Sequence, residues 1–154
     1  MLIKADVGLE VAAIDLSGWD THFAQGGAEG QMSNLMRNLA DGLAAFHIDL
    51  RDRMDSLTVV TMSEFGRRAK ENGSFGTDHG HGSMMMVLGG NVDGGKVHGA
   101  WHGLGEGQLV GPGDLAVTTD YRDVLSEILL KRLYNPALAD IFPNYQATLR
   151  GIFR

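Results

Sequence analysis

Thr77-Asp78-His79-Gly80-His81-Gly82 places one carboxylate and two imidazoles within four residues, with glycines on both sides of the second imidazole. Gly18-Trp19-Asp20-Thr21-His22 repeats the acid-plus-imidazole chemistry in an earlier segment. Zinc and harder divalent cations take oxygen and imidazole donors, which usually arrive from short loops held by a rigid scaffold. The chemistry this suggests is metal-assisted hydrolysis.

Asp20 and His22 are two residues apart, so an extended backbone would point both to one side and offer both to one ion. The plainer role for Asp20 is to hold a turn through backbone hydrogen bonds. His79 and His81 have the same spacing, while Asp78 would face the other way as partner to a ring nitrogen. A solvated glycine loop is the alternative there. Glu64, in Ser63-Glu64-Phe65-Gly66, follows an apolar run and could ligate a metal or act as general base; it could equally pair at the surface with Arg67 or Arg68. Arg67 could grip a phosphate or sulfate through two parallel hydrogen bonds, or form a solvated ion pair. His98 and His102, flanking Trp101 in a glycine-rich loop, and His47, beside Phe46, read as structural.

Something must carry these loops together. Leu9–Asp15 reads as a short buried strand ending at Ser17-Gly18. Residues 29–55 read as one amphipathic helix, because Met32, Leu35, Met36, Leu39, Leu43, Phe46, Leu50 and Met54 recur every three or four positions. Leu57–Met62 is a second β-rich run and Ser83–Leu88 a third. Strand, helix, strand in that order predicts a parallel βαβ unit, and the expected fold class is α/β, a mostly parallel sheet flanked by helices. Ligands of such sheets bind beyond the carboxyl ends of the strands. Asp20 and His22 follow the first strand and Glu64 the second. His79 and His81 precede the third, so their loop must fold back over the same edge. The 89–113 stretch reads as hairpin or irregular loop. A helix then runs to about Tyr134, capped by Thr118 or Thr119, with Asp120 and Asp123 in its first turn and Lys131-Arg132 in its last. Asn135-Pro136 ends it, and a turn through Phe142-Pro143 closes the domain.

Bulk composition narrows the field. The 154 residues suit one domain, 1–154, at 44% hydrophobic and 21% charged. A net charge of −6 with no basic run argues against a nucleic-acid partner. Zero cysteines exclude disulfides, thiolate catalysis and cysteine-ligated zinc. No apolar window is long enough to span a membrane, and Met1–Asp6 lacks the pattern of a signal peptide. The 22 glycines gather in clusters between apolar runs, which suggests shaped loops rather than disorder.

Four words in order, Gly18-Trp19-Asp20-Thr21-His22, Ser63-Glu64-Phe65-Gly66-Arg67, Gly76-Thr77-Asp78-His79-Gly80-His81 and Thr118-Thr119-Asp120-Tyr121-Arg122-Asp123, resemble domain-of-unknown-function family 1501. That family is placed in the alkaline phosphatase-like superfamily, with sulfatases and metal-dependent phosphomutases. The resemblance implies an α/β sandwich with a metal site at its strand ends, of which this chain matches the carboxyl-terminal part. It implies Asp20, His22, Asp78, His79 and His81 as metal ligands or their partners; Glu64 and Arg67, on their own chemistry, are the candidate catalytic groups. Ser63-Glu64-Phe65-Gly66 stands where Ser-Asp-His-Gly is usual, so Phe65 replaces a ligand and His79 or His81 would supply the last imidazole. The ion would be divalent: zinc or manganese favoured, magnesium or calcium allowed. The implied function is hydrolysis of small phosphate or sulfate esters; the alternative is a catalytically inactive scaffold or binding domain. The superfamily's nucleophile lies in an amino-terminal half that this chain does not match; a missing amino-terminal segment is expected, and with it an exposed sheet edge or face that could make a homo-oligomer. Full-length relatives often carry an export signal to the periplasm, and none is expected in this sequence.

Overall fold

The apolar spacing after Gly30 produces the longest element. In a computed structural model describing residues 2–154, after a short α1 (Leu2–Ala5), α2 spans Gln31–Asp49 and a 3-10 helix, Arg51–Ser56, extends it. Its apolar stripe is only half covered: no residue of α2 is buried, and Met36 is exposed. Leu50, where the α-helix gives way to the 3-10 turn, is 1% exposed.

The expected parallel sheet does not form. β1 (Thr58–Val60) pairs antiparallel with β4 (Val87–Gly89), Val59 opposite Leu88. Between them β2 (Gly66–Glu71) and β3 (Thr77–Gly80) make a separate antiparallel hairpin, with a register irregularity between Arg67 and Glu71. The described residues form two two-stranded antiparallel sheets in place of one parallel sheet. The physical reason lies in Leu9–Asp15: this segment is exposed and takes no strand partner, so α2 joins no parallel pair. A parallel crossover needs a strand on each side of its helix. β1 meets β4 instead after a connection that is itself a hairpin, and the antiparallel pairing follows. The doubly flanked α/β layer architecture is therefore overturned.

α3 (Tyr121–Lys131) forms where the capping signals predicted a helix, but its cap is Asp120, whose side chain accepts from the Arg122 amide. Thr118 instead donates to the Ala100 carbonyl. After a short α4 (Leu138–Ile141), the chain doubles back along α3. There Val124, Ile152 and Phe153 make the buried cluster, with Met85, Val87, Val92 and Ile128 against it. Two fully buried carboxylates on α3 hold the returning segment. Asp123 accepts from Tyr145 Oη (2.7 Å), the Thr148 amide (2.7 Å) and Arg150. Glu127 accepts from the Arg150, Gly151 and Phe153 amides and from Lys131. Buried charge is costly unless paired and hydrogen-bonded, and here both acids are. Among the described residues no helix is long and apolar enough to cross a membrane.

Candidate metal centre

The first site loop is shaped by a glycine. Gly18 has φ +98°, a conformation that L side chains rarely adopt, and an added Cβ would sit 3.2 Å from Leu35 of α2. The chain turns there and presents Asp20 and His22. The second site segment is β3, joined to β2 by the turn Asn72–Gly76. Asn72 secures both sides: Nδ2 donates to the His22 carbonyl and to Asp78 Oδ1, each at 3.0 Å, while Oδ1 accepts from the Ser74 and Gly76 amides. Gly76 permits the approach, since a Cβ there would lie 2.3 Å from the His22 carbonyl carbon and 2.4 Å from its oxygen. Thr77 then donates its amide to the Thr21 carbonyl, and Gln25 Oε1 accepts from the hydroxyls of both Thr21 and Thr77.

This docking brings together Asp20, His22 and His79, whose ligand atoms all lie within 4.8 Å of one another. Two imidazole nitrogens converge on one oxygen: Asp20 Oδ1 is 2.7 Å from His79 Nε2 and 3.0 Å from His22 Nε2. The opposite nitrogen of His22, Nδ1, is 3.5 Å from Asp78 Oδ1. Side-chain exposures of 61%, 44% and 47% for Asp20, His22 and His79 leave the cluster open to solvent ions. The hydrogen bond from His79 holds the Asp20 carboxyl below its ordinary 3.8, against a smaller upward effect of burial, with His22, His79 and Arg67 adding favourable charge. Asp78 is likewise lowered, first by its hydrogen bond from Asn72. Both acids are thus ionised at neutral pH.

Phe65, in the position of an expected ligand, lies flat on the His79 ring at 4.2 Å with 9° between planes. Arg67 caps the other elements of the site. Its guanidinium donates to the Trp19 and Thr77 carbonyls and to Asp20 Oδ1 at 3.3 Å, and sits 4.8 Å from the Phe65 ring centroid. It ties the loop of Asp20 to β3.

Residues 2–132 match a family described as a protein of unknown function, DUF1501. The chain belongs to that family. No curated protein and no solved structure matches it. The match takes in every residue of the cluster and both turns that bring it together.

Of the site residues singled out in the sequence, Asp20, His22 and His79 meet, with Asp78 behind His22 and Arg67 alongside. His81 goes elsewhere: its Nδ1 is 2.6 Å from Asp114 Oδ2, and its side chain is 81% exposed. The choice between His79 and His81 therefore falls geometrically on His79. Glu64 is exposed and joins no cluster. Asn72, Phe65 and Asp114 contribute contacts that the sequence reading did not assign. Asn72-Gly73 between two strand-forming runs is a recognised hairpin signal and pointed to the first of these. Asp114, 3% exposed and linked to both His81 and Arg68, carried no such local signal.

Proposed function

We propose that this chain provides a divalent-metal site, held by Asp20, His22 and His79, in a hydrolase-like domain for small phosphate or sulfate esters. The observation that carries the reading is the convergence of one carboxylate oxygen and two imidazole nitrogens within 4.8 Å. The donor chemistry fits. Ligands of a tetrahedral zinc, each about 2.0–2.1 Å from the ion, stand roughly 3.3 Å apart, and the Asp20–His79 and Asp20–His22 separations are 2.7 and 3.0 Å. Three protein donors leave a fourth position for water or substrate. Imidazole with carboxylate favours zinc or manganese over magnesium or calcium.

A bound ion would supply Lewis acidity toward an ester oxygen and toward water. The chain's own residues prepare the place. Asp78, 3.5 Å from His22 Nδ1, supports the tautomer that leaves Nε2 free for a ligand. Phe65 fixes the plane of His79, and Asn72 and Arg67 lock the loops at the right separation.

A second reading, a metal-holding scaffold or binding domain without turnover, is favoured by Arg67: the residue expected to grip an ester anion is already engaged with two carbonyls and Asp20. Calorimetric titration with zinc and manganese tests the metal site, and hydrolysis of p-nitrophenyl phosphate and sulfate by the loaded protein separates the two readings. The expected result is one equivalent bound, abolished by D20A. Equal binding by D20A and H79A, or no binding at all, would remove the metal site.

A further inference from the structure

We infer that residues 8–16 pair as a β-strand with the open edge of the β1/β4 sheet in a second copy of this chain. The segment Gly8-Leu9-Glu10-Val11-Ala12-Ala13-Ile14-Asp15-Leu16 has the composition of a buried strand and contains no proline. It forms neither helix nor strand, and among the described residues no hydrogen bond involves the main chain of 8–18. Its apolar side chains face water: Val11 is 69% exposed and Ile14 88%. An apolar segment of strand-forming composition with free N–H and C=O groups is a template for pairing with a sheet edge.

The complementary part is on the same molecule. β1 and β4 have one hydrogen-bonded neighbour each, so both outer edges of their sheet are open. All six of their residues are only half-buried, although four of the six residues around β1, Leu57, Val59, Val60 and Met62, are apolar. A two-stranded sheet is marginal in water, and a third strand gives it a packed face. Because every copy carries both the free strand and the free edge, a two-fold pair satisfies both reciprocally.

The surface area agrees with that occupant. The chain exposes 10621 Å², whereas a folded monomer of 16.6 kDa exposes roughly 7,600 Å². Obligate homodimers remove roughly 1,000–2,500 Å² from each copy, so the excess of about 3,000 Å² is ample for a second copy to cover.

Sedimentation equilibrium of the full chain is expected to give twice 16.6 kDa. V11P, which removes a backbone donor, and V11K, which charges the apolar face, are both expected to lose the dimer with the helical circular dichroism of α2 and α3 retained. The chain has no cysteine, so oxidising a mixture of V11C and V59C chains should yield a mixed disulfide, and V11C with V97C, at an exposed position outside the sheet, should not. A wild-type monomer at every concentration, including one that pairs only with a different polypeptide, overturns the inference. So does a dimer indifferent to both Val11 substitutions, or cross-linking to V97C as efficient as to V59C.

Discussion

At the scale of single residues, one oxygen is the meeting point of the cluster. Asp20 Oδ1 meets His79 Nε2, His22 Nε2 and the Arg67 guanidinium, so its loss removes a donor and the anchor of two others. D20A is expected to abolish zinc binding in calorimetry, whereas H81A should bind as the parent does, because His81 is held away by Asp114. N72A is expected to weaken zinc binding by roughly 10–100-fold, the range for groups that orient ligands without touching the ion. Its signature would be reduced affinity with one equivalent still bound. Phe65 teaches a related lesson. Its ring cannot bind a metal; it packs on the imidazole that arrives from β3 and fixes its plane. Side-chain type made Asp20, His22 and His79 legible in the sequence. The choice of His79 over His81 was not, because it depends on where Asp114, 33 residues further on, is buried.

At the scale of elements, the hairpin and its glycine decide whether the two loops meet. G76A would drive a methyl group into the His22 carbonyl. Such overpacking costs about 1–3 kcal/mol, measurable by urea unfolding, and calorimetry should show zinc affinity lost with it. D120A should lower stability by about 0.5–2 kcal/mol as a lost helix cap, while T118A and T119A should change the urea midpoint far less, since neither hydroxyl caps α3. Helical periodicity made α2 legible, and the dipole-ordered charges made α3 legible to within a few residues. β1 and β4 were legible as apolar runs. What was not legible was their pairing. Strand direction is set by which segments become neighbours, and the run at 9–15, an expected parallel strand, forms no strand at all. One segment's failure to pair turns a parallel layer into two antiparallel ribbons.

At the scale of the whole molecule, two buried acids on α3 tie down the returning carboxyl-terminal segment. Burial pushes Asp123 upward, but the Thr148 amide, Tyr145 and Arg150 outweigh it and hold the carboxyl below 3.8. Glu127 is held below 4.5 in the same way, burial opposed by the Phe153 amide, Lys131 and the Arg150 amide. With folded values depressed, the unfolded chain binds more protons between the two, so this stability is complete above the ordinary values and disappears as pH falls through the lowered ones. The urea midpoint should therefore be flat from neutrality to roughly pH 5 and drop below roughly pH 4. Tyr145 gives the opposite sign. Burial first, then its bond to Asp123, push it up to about 12, so its contribution is whole below its ordinary 10.0 and vanishes as pH rises through about 12. Phenolate absorbance would track it.

The pairing of Glu127 with the Phe153 amide, 26 positions later, also sets a timetable for synthesis. Translation delivers helix α3 well before its clasp, and domains acquire structure as their segments emerge. Until residue 153 clears the ribosome, Val124 has neither Ile152 nor Phe153 to rest on, and two acids destined for the interior stay hydrated. A nascent chain arrested before that point would be digested readily by added protease, and one arrested with residue 153 outside the tunnel would resist.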